Sequence, residues 1–170
     1  MSEQEQNQIF GAWLNQYKAL MFKVVRAYAT TPMDQDDLFQ EISIQVWRSI
    51  PAFKQQSATT TWIYRIAFNT ALKWGSRERK HAQAHETLDN VQAILQATPL
   101  PGDERLTWLY EAIQQLDDID RSITLLLLDG FSYKEMATIT GISESHIGVK
   151  INRIKKQLIT KSKQQDYHGI

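Results

Sequence analysis

The stretch from Ser132 to Leu158 constrains the fold of this chain more than any other. Ser132 and Glu135 have the spacing of a capping box, which satisfies the unpaired amide groups at the start of a helix. Gly141 is the residue type that most easily adopts the left-handed conformation after a helix end. Ser143 is a good N-cap for the helix that follows. The pattern therefore predicts two short helices joined by a tight turn.

The second of these helices has two different sides. Its apolar residues recur at three- and four-residue steps, as in a helix that packs on its neighbours. They are Ile147, Ile151, Ile154 and Leu158. The opposite side carries small or polar residues, namely Ser145, Gly148, Val149 and Asn152, with Lys150, Arg153, Lys155 and Lys156 beside them.

A short helix, a glycine turn and a basic second helix are typical of a helix-turn-helix DNA reader. In such a reader Val149 would meet a thymine methyl group, and Asn152 would form a bidentate pair with adenine. The alternative is an ordinary helical hairpin whose lysines only face water. The clustered cations and the small outward residues favour DNA.

Charge is distributed unevenly along the chain, although its formal net charge is zero. Between Asp34 and Glu41 there are four acidic residues and no basic one. Between Ser143 and Lys163 there are six basic residues and one acidic residue, Glu144. Two patches of opposite charge indicate two partners of different kinds.

Several classes of protein and site are not expected. The chain has no cysteine, which leaves neither a disulfide framework nor a thiolate metal site. His81 and His85 lack a third ligand at a convincing spacing, so we expect no metal and no cofactor. No glycine-rich phosphate loop or nucleophile–base pattern indicates an enzyme. Without a secretion signal or a run of about 18 apolar residues, the chain is expected to be soluble and cytoplasmic.

The N-terminal half predicts three helices. The first covers Ile9–Tyr28, the second covers Asp34–Ile50 with Asp34 as its N-cap, and the third begins at about Thr61 after a polar loop. In the first turn of the second helix, acidic residues are also ordinary helix chemistry, because they complement the helix dipole.

The third helix has an unusual surface pattern. Tyr64 and Phe68 lie beside a polar row, Arg65, Asn69, Lys73 and Arg77. Aromatic rings interleaved with cations suit an unpaired nucleic-acid strand, because rings stack on bases while cations follow phosphates. The alternative is that both rings are packed in the core, where aromatic side chains commonly lie.

The remaining sequence predicts a linker and a second helical domain. The segment 81–103 contains prolines and polar residues, with at most one short helix around Leu88–Gln96. A helix over Glu104–Leu116 and another capped by Asp117 or Asp120 precede the helix-turn-helix. The fold class is thus all-α, with domains at 1–80 and 104–165 joined by the linker and a frayed tail after them.

Two groups of motifs together resemble the extracytoplasmic-function (ECF) group of bacterial RNA polymerase sigma factors. The segments 36–41, 46–47 and 61–67, with Asn69, are similar to the family's second conserved region. The segments 131–137, 141–143 and 149–155 are similar to its fourth region. The motifs occur in the family's order and extend over nearly the whole chain.

The resemblance implies a promoter-specificity subunit with no catalytic chemistry of its own. The second region would bind the β′ clamp helices of core RNA polymerase, and the β flap is another expected polymerase contact. Promoter DNA would be the other partner, and an anti-sigma factor is expected as a regulator. The residues assigned to the polymerase contact are Asp36, Asp37, Gln40, Glu41 and Trp47.

The resemblance also assigns two DNA contacts. The minus-ten element would be opened and held by the loop and third helix, through Lys54, Thr59, Thr60, Thr61, Tyr64, Arg65, Asn69, Lys73 and Arg77. The minus-thirty-five element would be read by the helix-turn-helix, through Ser143, Glu144, Ser145, His146, Gly148, Val149, Lys150, Asn152, Arg153 and Lys156. The alternative function is a stand-alone helix-turn-helix regulator, which commonly binds as a dimer.

Overall fold

The computed structural model describes residues 1–84 and 103–166, and these residues form α-helices joined by short turns and loops, with no strand among them. They belong to two compact units, Met1–Asp103 and Glu104–Ile170. The predicted all-α class with two helical domains is confirmed.

Residues 1–84 of the first unit form three α-helices: α1 (Glu3–Tyr28), α2 (Pro32–Ser49) and α3 (Thr59–Ala84), with a 3-10 turn at Ile50–Ala52. Helix α1 begins six residues earlier than predicted. Ser2 caps it, because the Ser2 hydroxyl accepts from the amide of Glu5 while the Glu5 carboxylate accepts from the amide of Ser2. The serine–glutamate spacing that marks the later helix-turn-helix therefore also marks the start of the chain's first helix.

The N-cap of α2 differs from the prediction. Thr31, not Asp34, is the cap, and its hydroxyl accepts from the amide of Asp34 at 3.1 Å. Pro32 then occupies the first helical position, where its missing N–H costs nothing. Asp34 lies in the first turn, where its charge complements the helix dipole.

The core of the first unit is the seam where its three helices meet. Each helix contributes fully buried apolar side chains. These include Met21, Val24 and Val25 from α1, Leu38, Ile42 and Val46 from α2, and Ile63, Ala67 and Ala71 from α3. The remaining faces of α2 and α3 are thereby oriented outward.

The second unit contains four α-helices: α4 (Glu104–Gln114), α5 (Asp118–Leu128), α6 (Tyr133–Thr140) and α7 (Glu144–Asp166). Of the two predicted caps of α5, Asp117 and Asp120, the structure has Asp117. Its Oδ1 accepts a hydrogen bond from the amide of Asp120 at 2.8 Å.

The predicted turn between α6 and α7 is present. Ser132 and Glu135 form the capping box of α6, and Gly141 ends that helix with a φ of +77°. The left-handed conformation explains the glycine, because other residues pay a steric penalty there. The apolar stripe of α7 is buried at Ile147, Ile151 and Ile154 against α5 and α6.

Two predictions concern residues at the edges of the described ranges. Helix α3 continues to Ala84, four residues into the segment predicted as linker. The short helix predicted at Leu88–Gln96 and the second histidine of the candidate metal pair, His85, lie outside the described residues, as do tail residues 167–170.

Candidate functional site

The acidic side of α2 is exposed at Asp36, Asp37 and Gln40. Asp37 has a structural contact as well, because its Oδ2 accepts from the indole Nε1 of Trp74 at 3.0 Å. Trp74 is buried in α3, with 4% of its surface exposed. Asp37 therefore joins α2 to α3, whereas Asp36 and Gln40 belong to the surface alone.

Glu41 and Arg77 form an ion pair across the boundary of two predicted sites. Nη2 of Arg77 donates to both carboxylate oxygens of Glu41 at 2.6 Å. The arginine side chain is 56% exposed, and ion pairs at such exposure stabilise a fold by at most about 1 kcal/mol. A residue assigned to the polymerase and one assigned to DNA are thus adjacent, and their opposite charges compensate each other locally.

Trp47 is held by residues that the sequence analysis did not single out. Its indole Nε1 donates to Oδ1 of Asn7 at 2.8 Å, and Nε2 of Gln6 donates to its backbone carbonyl at 2.7 Å. Both partners lie in the early turns of α1, which the helix prediction omitted. The capping box at Ser2 and Glu5 is the signal that would have included them.

An apolar groove adjoins the acidic side of α2. It is lined by Phe10, Phe39, Ile44 and Trp47. Ile44 is 49% exposed, which is high for a large aliphatic residue on a folded unit. The groove continues beside Phe39, whose ring stacks on that of Phe22 at 4.4 Å. Charged and apolar side chains therefore form one continuous surface on α2, as interfaces for other proteins commonly do.

The aromatic pair on α3 belongs to the core, which corrects the assignment of Tyr64 to single-stranded DNA. Tyr64 is fully buried and Phe68 is 5% exposed. Their rings stack on each other at 5.2 Å, and Phe68 also meets Tyr28 at 6.4 Å. Helix α3 packs on α1 and α2 with one side only, and its Tyr64 and Phe68 rings lie on that buried side, so they are not available to an extruded base.

The polar row of α3 is exposed as predicted. Arg65, Asn69, Lys73 and Arg77 follow one another at four-residue steps along the outer surface. Asn69 and Lys73 also line a cleft between α3 and α2, opposite Gln45 and Arg48. The row thus combines an amide with cations along one edge of a cleft.

The loop before α3 is anchored by aromatic residues at its two ends. Phe53 meets Trp13 edge-on at 5.1 Å and Trp62 at 5.4 Å. Between these anchors Lys54 is exposed, and Gln55 has a φ of +55°. The threonines at positions 59, 60 and 61 are half-buried in the first turn of α3. A non-glycine residue in the left-handed region stores about 1–3 kcal/mol, which frequently marks a functional loop.

The outward side of α7 combines small and polar side chains. Ser145, Val149, Asn152 and Lys156 are exposed, and Val149 is 67% exposed. At the start of the helix, Oγ of Ser143 accepts from the amide of His146 at 3.3 Å; Glu144 and His146 are exposed beside it.

Gly148 is half-buried next to the ring of Tyr133, a residue that was not predicted to lie near DNA. A Cβ at this position would lie 3.5 Å from Cε2 of Tyr133, which is ordinary van der Waals contact. Tyr133 is 44% exposed at the start of α6. Its ring therefore borders the outward surface of α7.

Two predicted DNA-binding cations on α7 are directed elsewhere, which corrects the picture of an outward basic row. Lys150 has 13% of its side chain exposed, and its Nζ donates to Oδ1 of Asp120 at 3.1 Å. Nη2 of Arg153 donates to Oδ2 of the same carboxylate at 2.7 Å, while 52% of the arginine side chain stays exposed. Sequence periodicity missed this because it does not report an acidic residue supplied by another helix.

The capping box that begins α6 is electrostatically favourable. Hydrogen bonds from the backbone amide and the hydroxyl of Ser132 hold the pKa of Glu135 below its ordinary value near 4.5. The carboxylate form is therefore the one that stabilises this helix end.

Within the described ranges, no helix is both long and apolar enough to cross a membrane.

Comparison with protein families matches both units. Residues 13–81 match the model of Sigma-70 region 2, and residues 106–158 match that of Sigma-70, region 4. The ECF RNA polymerase sigma-E factor of Haemophilus influenzae is 28% identical over 171 residues, covering 94% of this chain and 90% of that protein. The sigma-E factor of Escherichia coli K12 is 31% identical over 140 residues, covering 75% and 73%.

Two solved structures have the same fold. A co-crystal structure of the sigma factor RpoE with the anti-sigma factor NepR from Bartonella quintana has a TM-score of 0.68 at 20% identity, covering 89% of this chain and 94% of that one. A structure of CnrH with the cytosolic domain of CnrY has a TM-score of 0.67 at 16% identity, covering 93% and 90%.

The predicted resemblance is therefore confirmed by both conserved regions, in the predicted order, and by relatives matched over most of their length. This chain belongs to the ECF family of bacterial RNA polymerase sigma factors, which bind core RNA polymerase and direct it to promoter DNA.

Proposed function

We propose that the two units divide the work of initiation, with the main polymerase interface on the first unit and one DNA interface on each unit. The first unit, with residues 1–80 as its functional part, binds the polymerase and the minus-ten element. The second, at 104–165, reads the minus-thirty-five element, and 81–103 connects them. The observation that carries this division is the contrast between the acidic, apolar surface of α2 and the small, polar surface of α7. The protein acts in the cytoplasm, where bacterial core polymerase works.

The acidic and apolar surface of α2 is the polymerase contact. Asp36 and Gln40 supply exposed polar groups, and Trp47 with its neighbours Phe39 and Ile44 supplies apolar area. Asp37 and Glu41 lie on the same side but are also bonded to α3. An acidic surface beside an apolar groove suits a basic, helical partner, because charge gives orientation while buried aromatic area gives affinity.

The combined change Asp36→Asn and Gln40→Ala tests this contact. We expect binding to core polymerase to weaken about tenfold, because hydrogen bonds to charged groups contribute roughly 1.5–3 kcal/mol. Thermal unfolding should be unchanged, since both side chains are exposed. Titration of labelled protein with core polymerase measures the effect, and Glu111→Gln, an exposed change on α4, is the control. Equal affinities of the variant and the control would contradict the assignment.

The loop and outer edge of α3 hold the melted minus-ten strand. The cations follow phosphates, while the amide of Asn69 and the threonine hydroxyls meet base edges. The residues retained for this role are Lys54, Thr59, Thr60, Thr61, Arg65, Asn69, Lys73 and Arg77. Tyr64 is no longer among them, because its ring is buried.

The outward side of α7 reads the minus-thirty-five duplex. Ser145, Val149 and Asn152 present small side chains that allow the helix to approach base edges. The first turn contributes Ser143, Glu144 and His146, and Gly148 and Lys156 complete the surface.

Asn152→Ala tests base reading by α7. In the holoenzyme, discrimination between the preferred and a scrambled upstream element should fall by about 1–3 kcal/mol if Asn152 pairs with a base. Gln157→Ala removes an exposed amide from another side of the same helix and should leave discrimination unchanged. Competition binding with the two duplexes measures both. An equal loss in the two variants would contradict a base contact by Asn152.

An anti-sigma factor is the proposed regulator. Both solved structures of similar fold are complexes with another protein, and one of those partners is called an anti-sigma factor. Such a partner would compete with polymerase if it covered the groove at Phe39 and Ile44. Holoenzyme assembly in the presence of a co-purified partner tests the competition directly.

A further inference from the structure

The basic residues of α7 fall into two groups that face different surroundings. Lys155 and Lys156 are exposed. Lys150 and Arg153 both meet one carboxylate, Asp120, whose side chain is 3% exposed; the Lys150 side chain is 13% exposed, whereas that of Arg153 is 52% exposed. Arg153 also lies 4.0 Å from the carboxylate of Asp117. Two acids and two bases therefore form a compact cluster with no net charge.

Several contacts hold Asp120 in place. It lies in the first turn of α5. Its backbone amide is held by the Asp117 cap at 2.8 Å. With each of its two oxygens bonded to a different cation, the buried carboxylate is satisfied. Removing it would leave Lys150 largely buried without this partner, which is strongly unfavourable.

The cluster also fixes the rotation of α7 about its axis. The apolar stripe at Ile147, Ile151 and Ile154 places α7 against the unit but is non-directional. The bonds from residues 150 and 153 to a single point on α5 are directional. A rotation that moved either cation toward the outward surface would break one of them. Residues 149 and 152, each adjacent to a bonded cation, are thereby held facing outward.

We propose that Asp120 is a positioning residue for DNA reading: it binds Lys150 and Arg153, orients the outward side of α7, and withholds the largely buried Lys150 from DNA phosphates. This inference rests on the proposed role of α7 as the duplex reader. It departs from the expectation that Lys150 contacts the minus-thirty-five element. The phosphate charge of α7 then comes chiefly from cations such as Lys156.

The salt dependence of DNA binding tests the assignment, because each neutralised phosphate contributes about 0.9 to the slope of log K against log salt concentration. The assay is holoenzyme binding to a duplex that contains the preferred upstream element. We expect Lys156→Gln to lower the slope by about 1 and Lys150→Gln to leave it unchanged. Lys150→Gln keeps the bond between Arg153 and Asp120, so the buried carboxylate retains a partner.

Asp120→Asn gives a second readout that a purely structural role would not produce. It removes the negative charge that holds Lys150, so it should raise binding to a scrambled duplex and steepen the salt slope by about 1. Discrimination between preferred and scrambled duplexes should fall at least about tenfold, as expected when base contacts are misaligned. Asp118→Asn removes a neighbouring acid that lies 3.8 Å from Arg121 and should change neither quantity.

The outcomes separate this inference from the function on which it rests. An equal decrease in slope for Lys150→Gln and Lys156→Gln would overturn the inference while leaving α7 as the DNA-contacting helix. Unchanged slopes in both variants would overturn the role of α7 itself. A fall in preferred and scrambled binding by the same factor in a folded Asp120→Asn variant would also contradict positioning.

Discussion

Ile151→Ala is expected to unfold the second unit while leaving the first unit folded. Ile151 is 2% exposed at the centre of the apolar stripe of α7. Truncating a buried isoleucine to alanine costs about 2–5 kcal/mol. A unit of this size has a total stability of about 3–10 kcal/mol at the usual 0.05–0.15 kcal/mol per residue. The loss is therefore comparable with the whole stability of the unit.

Ile159→Ala is the matched control, because it makes the same chemical change on the same helix at a residue that is 55% exposed. It should cost no more than about 0.5 kcal/mol. Hydrogen exchange measured by mass spectrometry reports the two units separately. Loss of protection confined to α4–α7 in Ile151→Ala, with none in Ile159→Ala, is the expected result. Equal protection in both variants would contradict the core position of Ile151.

Tyr64→Ala is expected to destabilise the first unit by about 3–5 kcal/mol, as for other large aromatic residues in a core. Its ring is fully buried and stacks on Phe68 at 5.2 Å. The change should therefore lower the denaturant concentration at the midpoint of unfolding. Any loss of DNA binding should result from unfolding rather than from a lost DNA contact.

Arg65→Ala is the control for Tyr64→Ala, because the neighbouring residue on the same helix is exposed. It should lower affinity for a single-stranded minus-ten oligonucleotide in the holoenzyme, with a change in stability of at most about 0.5 kcal/mol. Urea unfolding and oligonucleotide binding together distinguish the two roles. A normally stable Tyr64→Ala variant with weakened oligonucleotide binding would restore Tyr64 to the DNA surface.

Local sequence signals predicted the second unit well. The capping box at Ser132 and Glu135, the left-handed Gly141 and the stripe at Ile147, Ile151 and Ile154 are each present in the structure. These features are set by residues within a few positions of one another, where spacing alone carries the information. The same class of signal was present at Ser2 and Glu5, and using it would have placed the start of α1 correctly.

The periodicity of residue types along the sequence could not predict contacts between residues that are distant in the chain. The pattern at Tyr64 and Phe68 fits both a core and a stacking surface, and only packing against α1 decides between them. Lys150 and Arg153 likewise look like a basic row until Asp120 is brought to them from α5. The bond between Asp37 and Trp74 spans a similar separation. Tertiary partners, rather than helix propensity, determine which charges remain available for ligands.

Charge distribution and family motifs each indicated part of the function. Opposed charge patches indicated two partners, and the family motifs then implied which partners these are. The structure adds that the two patches are not uniform. The opposite charges of Glu41 and Arg77 compensate each other locally. Of the four cations at positions 150, 153, 155 and 156, those at 150 and 153 bind an acidic residue of the same unit. We therefore expect the polymerase to supply much of the affinity for promoters.

Transcription with purified core polymerase tests the central claim most directly. Core polymerase is incubated with a pool of duplexes whose upstream and minus-ten elements are randomised, with and without this protein, and the transcripts are sequenced. We predict that transcripts from a defined pair of elements appear only with the protein. The Asp36→Asn and Gln40→Ala variant should require a higher concentration, and Asn152→Ala should relax the upstream preference alone. Tight, selective binding of a duplex by the protein alone, with no change in transcription by core polymerase, would contradict the account.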